Sequence, residues 1–530
     1  MEDLKKVTLG GAVITLLLLV KLSQVSYTSA YYLALFLCFA VCAYLFKAYQ
    51  HPGIPELTFD VLHQIPGPIS IPYFGNRWMY YSWFGSYKLN KLHEAYQDLF
   101  KRFGEIFREE YLWNYPIVNI SNRNDLFTVL NGSARSKYPL RPPNEVTSYY
   151  RKSRPDRYTN LGLVNEQGEL WHSLRTVLTP ELTSARTMNH FLPELNRVSE
   201  SFISLIRHHS DKHYTVACFE ALANRMGLES VVTLILGRRL GFLSEDDVDP
   251  TTVKLAVAVR DQFLASRDTF YGLPVWKLFP TRAYKKLIES EETIYSIVSS
   301  YVDEAIADED DHNVKTVFRS IMNAPGLDIR DKKAAIIDFI AAGIKTFGNT
   351  LVFLLYLLAK NPACQEKIYE EISNMAGSMQ DFTLNMIQSA KYLRACIEES
   401  FRLLPTAPLI ARISETNMTL SGYQVPTGSV LLCHTWQACL NENNFPQAAT
   451  FMPERWMKEK KAEKENHFLV TPFGVGRRMC PAKRFTELEL KVCVANIIRE
   501  FRVEFDGTLE LEFEFLLAPT SPTAIIFKPR

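Results

Sequence analysis

The segment 331–360 (DKKAAIIDFIAAGIKTFGNTLVFLLYLLAK) constrains this chain more than any other. It is the longest apolar helix candidate in the body. Asp331 and two lysines mark its start, and Asn361-Pro362 stops it. Asp338, Lys345, Thr346, Asn349 and Thr350 interrupt the apolar run, which argues against a membrane span. A helix apolar nearly all round is buried at the centre of a large domain, so the rest of the chain must supply a mostly helical body to cover it. Gly343, Thr346 and Thr350 fall on one face at i, i+3 and i+7. The stripe is either a notch with a hydroxyl beside it or a site of tight helix packing, and these residues alone leave both open.

The 530 residues would allow three or four average domains by length. No internal repeat or low-complexity linker follows residue 75, however, so one large domain fits better. Helical periodicity dominates from residue 90, with short β-like runs at 111–120 and 417–432, and the expected class is mainly α with small β-sheets (α+β). The charged runs 303–311 and 458–465 read as solvated loops or helix faces. With 47% hydrophobic residues the chain is not disordered. The balance of 59 Lys+Arg against 58 Asp+Glu argues against nucleic acid, whose phosphates demand a basic excess.

The first 50 residues carry two apolar runs, 7–20 and 29–46, and read as a retained membrane anchor or targeting segment, residues 1–50. A cleaved signal peptide is the alternative. The start MEDLKK contains acids and no arginine, which leans towards an endoplasmic-reticulum type of anchor. A proline-rich linker, residues 51–75 with Ile65-Pro66-Gly67-Pro68, joins it to the body, residues 76–530.

Nine irregularly spaced cysteines with no C-x-x-C pair do not form a disulfide framework or a four-cysteine zinc site. His208, His209 and His213 sit in a polar stretch that reads as a solvated loop. Cys480 stands apart. In Pro472-Phe473-Gly474-Val475-Gly476-Arg477-Arg478-Met479-Cys480-Pro481 the two glycines allow a tight loop against something flat. Arg478 places a cation near the thiol, and the helical stretch 482–500 aims its N-terminus at the sulfur, which favours the thiolate. A sulfur ligand to iron requires those features.

Phe473, Gly476, Arg478 and Cys480 resemble the haem-binding loop of the cytochrome P-450 superfamily, with Ala482 at a position usually glycine. Trp171-His172-Ser173-Leu174-Arg175 is similar to its W-x-x-x-R helix, whose Trp171 and Arg175 would contact a haem propionate. Glu399-Ser400-Phe401-Arg402 resembles its E-x-x-R, and Arg455 would complete the buried Glu399–Arg402–Arg455 triad. Arg412 lies where the family places another propionate-binding arginine. The resemblance spans residues 60–530. It implies a haem-thiolate monooxygenase with haem b on Cys480, using O2 and NADPH-derived electrons through a redox partner to hydroxylate a lipophilic substrate.

The same resemblance places the catalytic motif at Ala342-Gly343-Ile344-Lys345-Thr346. Gly343 would make room for dioxygen, and Thr346 would hold water for proton delivery. Lys345 departs from the pattern, which carries Asp or Glu there. A lysine at neutral pH donates without accepting, so a water chain or a nearby acid such as Asp338 must substitute, or protons arrive slowly. The expectation is turnover that survives with partial uncoupling, and Lys345→Glu is expected to raise product per reducing equivalent.

Segments 153–158, 165–168, 236–243, 328–344 and 513–519 resemble the insect ecdysteroid 20-hydroxylases of the superfamily's mitochondrial clan. That likeness implies C-20 hydroxylation of the steroid ecdysone at a mitochondrial membrane, with electrons from an adrenodoxin-type ferredoxin. Arg394 matches the first basic residue of that clan's ferredoxin surface, whereas Glu398 occupies the second. NADPH-cytochrome P-450 reductase at the endoplasmic reticulum is the alternative. Hydroxylation of another sterol or a xenobiotic also stays open, as does a haem-thiolate isomerase or dehydratase, or a haem or lipid carrier. Phe263, Tyr271 and Trp276 are candidates to roof the pocket or to be core.

Overall fold

The computed structural model describes residues 59–530 except 72–74, 81–84, 112–114, 246–249, 273, 278, 308–315, 378, 380 and 458–465. The anchor, most of the first half of the linker and the charged run 458–465 lie outside the described residues.

The apolar segment forms one helix, Ile329–Lys360, here called the central helix. Asp328 caps it by accepting from the Arg330 N–H at 2.9 Å. Asp331 lies in the first turn, as expected, and accepts from the Thr159 N–H at 2.9 Å. The helix is long and apolar enough to cross a membrane, with a mean hydropathy of 1.5, but 78% of that window is buried inside the protein. Composition alone does not separate a membrane span from a core helix; the covering helices do.

Helix Phe219–Leu236 is pressed closely against it. The close approach follows from glycines on both partners. A Cβ on Gly227 would meet the Gly343 and Ile344 carbonyls at 3.1 and 3.2 Å, and one on Gly343 would meet Val231 side-chain carbons at 3.1 Å. Of the two roles open to Gly343, tight helix packing is therefore the one these contacts account for. Helices Pro250–Tyr271 and Arg282–Ala307 pair with each other, and Ala185–His209 packs against Lys483–Glu500. His208 and His209 close helix Ala185–His209 as exposed residues, so they end a helix rather than sit in a loop.

The β structure is small, as expected. A four-stranded sheet runs Ile106–Glu110, Pro116–Ile120, Val430–Cys433, Ile410–Ile413, with the middle pair parallel and the outer pairs antiparallel. The β-like run 111–120 therefore covers a connection and one strand. The run 417–432 covers the hairpin Met418–Leu420/Tyr423–Val425 and the start of Val430–Cys433. A second hairpin, Leu511–Phe513 with Leu517–Pro519, lies near the chain end. Tyr271 and Trp276 are core: the Tyr271 hydroxyl meets that of Tyr96 at 3.1 Å, and Trp276 packs against Tyr149 and Tyr284.

Candidate active site

All seven cysteines among the described residues carry free thiols, five of them buried. Cys480 is different in its surroundings. Its N–H donates to the Phe473 carbonyl at 2.8 Å, which folds the loop 473–480 back on itself. Gly474 and Gly476 make that reversal with φ of +73° and +65°, a region that favours glycine. A Cβ on Gly476 would lie 2.5 Å from Ala134 Cα, so the loop rests on the end of helix Arg123–Arg135. Gly476→Ala is expected to cost about 2–4 kcal/mol, from the left-handed backbone and the backbone clash together. Gly474→Ala meets only Met479 Cα at 3.9 Å and is expected to cost about 1 kcal/mol. Thermal unfolding of the two variants checks the difference.

Past Cys480 the chain enters helix Lys483–Glu500, with Ala482 at its N-cap. Burial holds the Cys480 thiol above its ordinary range, offset only in part by the Ala482 N–H, which points at the sulfur, and by the Arg175 charge. The helix terminus thus delivers a donor to sulfur, as its position after Pro481 implied.

Around the loop four guanidinium groups converge. Arg478 lies 4.0 Å over the Trp171 ring and donates to the Pro139 carbonyl at 3.0 Å, the Glu166 carbonyl at 2.7 Å and Gln167 Oε1 at 3.0 Å. Trp171, buried on helix Gly168–Leu178, is the platform for that cation, while Arg175 sits one turn further on. Arg412, on strand Ile410–Ile413, donates to Ser133 Oγ at 2.7 Å and to the Val475 carbonyl at 3.4 Å. Arg141 is the fourth. Burial lowers all four, Arg478 to about 9 and Arg412 to about 10, and repulsion from Arg141 adds to both. Among the described residues no carboxylate pairs with any of them. Arg412 is buried and the other three are half-buried, and clustered, partly desolvated cations of this kind are unfavourable unless an anion neutralises them.

On the central helix, Asp338, Phe339, Ala342, Gly343 and Thr346 are open or half-open, whereas 340, 341, 344, 345 and 347–350 are buried. The open residues recur at i, i+4 and i+8, one helical face. Phe339, Ala334 and Ala335 line a cleft with Leu163 and Leu174, and the Leu163 carbonyl accepts from Arg478 at 3.5 Å. The Thr346 hydroxyl donates to the Ala342 carbonyl at 2.6 Å, which leaves its oxygen free to accept. The residues present, a thiol on a tight loop and arginines without a paired carboxylate beside it, suit a flat macrocycle bearing carboxylates.

Behind the loop, Glu399 and Arg402 are fully buried and doubly bonded, Nε to Oε2 at 2.9 Å and Nη2 to Oε1 at 2.8 Å. Arg402 also donates to the carbonyls of Cys439, Ala448 and Thr450. Arg455 Nε reaches Glu399 Oε1 at 3.0 Å. Glu399 takes a further bond from Trp456 Nε1 at 2.8 Å.

The structure thus gathers Trp171, Arg175, Arg412, Phe473, Arg478 and Cys480 round one loop and Glu399, Arg402 and Arg455 in one network. Lys345 belongs to neither. It is buried, with Nζ 3.0 Å from Glu514 Oε2. Asp338, one of the groups that could stand in for the motif acid, is ion-paired with Arg151 at 2.5 Å. The acid beside Lys345 is Glu514, so Lys345→Glu would set two buried carboxylates against each other. Arg141, Ser133, Gln167 and Trp456 escaped the sequence reading. Arg141 precedes two prolines and carries no periodic signal, while Trp456 stood beside Arg455 without a partner in view.

The thiol loop, arginine cradle and buried triad define a haem-thiolate protein, and the chain belongs to the cytochrome P450 family, whose model, described as "Cytochrome P450", matches residues 65–527. The chain is 44% identical over 496 residues to ecdysone 20-monooxygenase of Drosophila melanogaster, covering 90% of this chain and 91% of that protein. It is 32% identical over 441 residues to cytochrome P450 CYP12A2 of Musca domestica, covering 78% and 81%. It is 30% identical over 462 residues to cytochrome P450 302a1, mitochondrial, of Drosophila melanogaster, covering 86% and 92%. The chain is accordingly a cytochrome P450 monooxygenase with haem b as cofactor, fed by O2 and by NADPH-derived electrons from a redox partner.

Proposed function

We propose that the chain hydroxylates the steroid ecdysone at C-20 to give 20-hydroxyecdysone. The observation that carries this reading is the 44% identity to ecdysone 20-monooxygenase sustained over nine-tenths of both chains. Haem, when bound, supplies the activation of dioxygen and its insertion into a C–H bond. Cys480 would hold the haem iron through its sulfur, and the Phe473 carbonyl and the Ala482 N–H fix that residue in place. Arg175, Arg412 and Arg478, with Trp171 supporting Arg478, would neutralise the haem carboxylates, and Arg141 would add to them. Phe473 packs edge-on against Phe401 at 5.4 Å and fixes the loop. Glu399, Arg402 and Arg455 hold the segment behind it. Thr346 keeps water in place on the substrate side, and Gly343 lets helix Phe219–Leu236 lie close enough to wall that side.

The electron donor is an adrenodoxin-type ferredoxin and the site of action a mitochondrial membrane. Glu398 does not blunt the donor surface. Arg394, Lys483 and Lys491 all act on it, while burial together with Glu487 holds its carboxyl above the usual glutamate range. Two of those three cations come from helix Lys483–Glu500, which begins at the thiol loop, so the missing second basic residue is made good from the neighbouring helix. Relatives whose names state a location are mitochondrial, which favours that membrane over the endoplasmic reticulum.

The test is oxygen and NADPH consumption by the haem-loaded protein with ecdysone, once with ferredoxin and its reductase and once with NADPH-cytochrome P450 reductase. The expected result is 20-hydroxyecdysone with the ferredoxin pair. Binding without oxygen uptake in both arms overturns the catalytic reading, and turnover only with the P450 reductase overturns the donor.

A further inference from the structure

Lys345 fills the position at which this motif carries an acid, and its charge is committed to the hairpin 511–519. Its Nζ lies 3.0 Å from Glu514 Oε2, an ion pair between two buried side chains. The other oxygen of that carboxylate, Oε1, accepts from Arg260 Nε on helix Pro250–Tyr271. Each oxygen of Glu514 therefore faces a cation from a different helix. Burial acts to raise Glu514, but Lys345 and Arg260 together hold its carboxyl below the usual range, so it stays an anion. The two strands of the hairpin divide in the same way. Strand Leu517–Pro519 belongs to the central helix: the Leu517 carbonyl accepts from Asn349 Nδ2 at 3.1 Å, and the Leu517 N–H donates to the Thr406 carbonyl at 2.9 Å. The Thr406 and Thr350 hydroxyls meet at 2.8 Å, and Thr350 donates to the Thr346 carbonyl at 2.7 Å, which links this strand to the turn that carries Thr346. Strand Leu511–Phe513 belongs to helix Pro250–Tyr271: Arg260 Nη2 reaches Glu512 Oε1 at 2.8 Å, Arg267 donates to the Phe513 carbonyl at 2.9 Å, and the Phe513 ring meets Tyr271 edge-on at 6.4 Å. Glu514, in the turn between the strands, reaches both helices.

We propose that Lys345 is a positioning residue for the monooxygenase reaction: it pins the hairpin to the central helix through Glu514 and, through Arg260, holds helix Pro250–Tyr271 in place, so that the motif's acid position sets the wall of the substrate side instead of carrying protons. The inference rests on the reading of the Thr346 face as the substrate side given above. Helix Pro250–Tyr271 packs on the central helix, so its placement bears on the shape of that side. A buried lysine is unfavourable without an anion and a buried carboxylate without a cation, so this pair holds as a unit. Without Lys345, Glu514 keeps only Arg260, which is 40% exposed and for which water competes. The carboxylate is then drawn outwards with Arg260, and the turn of the hairpin leaves the central helix. Without Arg260 the reach is shorter: Glu514 stays on Lys345, the hairpin stays seated and only helix Pro250–Tyr271 is released.

The test is amide hydrogen exchange of the haem-loaded full chain, with substrate affinity read from the spin shift that ecdysone induces. Lys345→Met is expected to raise exchange in both the hairpin 511–519 and helix Pro250–Tyr271, whereas Arg260→Leu raises it in the helix alone. The ecdysone dissociation constant is expected to rise about tenfold in Lys345→Met, as the share of molecules with the wall in place falls to about a tenth. Lys345→Arg keeps a cation within reach of Glu514 and is expected to restore both wild-type exchange and wild-type affinity. Wild-type exchange of helix Pro250–Tyr271 in Lys345→Met would overturn the inference, whatever happens to the unfolding temperature. Should Lys345→Met not retain haem, Arg260→Leu decides: raised exchange confined to the helix supports the inference, and wild-type exchange overturns it. If ecdysone gives no spin shift in the wild-type protein, the substrate assignment fails alone, and the positioning role is judged on the exchange pattern, which requires no substrate.

Discussion

Cys480→Ser is expected to abolish monooxygenase turnover, by on the order of a thousandfold or more, while leaving the fold intact. Serine keeps the volume and can still accept from the Ala482 N–H, so the stability cost stays under about 1 kcal/mol and circular dichroism is unchanged. What disappears is the charge donated by sulfur. A thousandfold loss corresponds to about 4 kcal/mol of barrier at 1.36 kcal/mol per tenfold, in line with an interaction that acts in the transition state. The check is the carbon monoxide difference spectrum alongside product formation. The thiolate-specific band should vanish in Cys480→Ser and persist in the six cysteine-to-serine variants at Cys218, Cys364, Cys396, Cys433, Cys439 and Cys493. A retained band would remove Cys480 from the iron.

The second large effect is structural. Arg402→Leu leaves Glu399 buried with part of its charge uncompensated and strips three backbone carbonyls of their donor. Breaking a fully buried pair costs about 3–5 kcal/mol, enough to consume a large part of ordinary domain stability. The expected outcome is a poorly folded protein that does not retain haem. Arg455→Leu should cost less, because Arg402, Trp456 and the Met452 N–H still hold Glu399. Trp456→Phe removes one donor to a charged group, and about 1.5–3 kcal/mol is expected. Thermal unfolding should rank the three in that order. Equal effects would mean that the network does not centre on the Glu399–Arg402 pair.

Local patterns were readable where chemistry and spacing coincide. The central helix announced itself by its apolar length and the thiol loop by its glycines and the helix that follows, while the E-x-x-R pair, weak as a spacing, came from the family resemblance. Partners set by distant segments were not readable. Gln167 meets Arg478 across 311 residues, and nothing in Gln167 or its neighbours selects that arginine. Asp338 shows the opposite failure. It lies on the same helix as Lys345 and was named as an acid that could stand in for the motif carboxylate, yet its ion pair is with Arg151, while Lys345 turns to Glu514. A buried lysine requires an anion, but that requirement does not say which anion the fold will bring.

By itself, then, the sequence determined the α+β class, the burial of 331–360, the loop that offers Cys480 and the residue types that could seat a haem, because these depend on periodicity, backbone freedom and side-chain chemistry within a few residues. The tertiary structure alone decided which charges meet. Among the described residues it left Arg141, Arg175, Arg412 and Arg478 without a paired carboxylate, added Trp456 to the triad, set Gly343 against Val231 and gave Lys345 an acid from the 511–519 hairpin. Those outcomes depend on packing between segments far apart in the chain, where desolvation makes each buried charge take whatever counter-charge the fold places within reach.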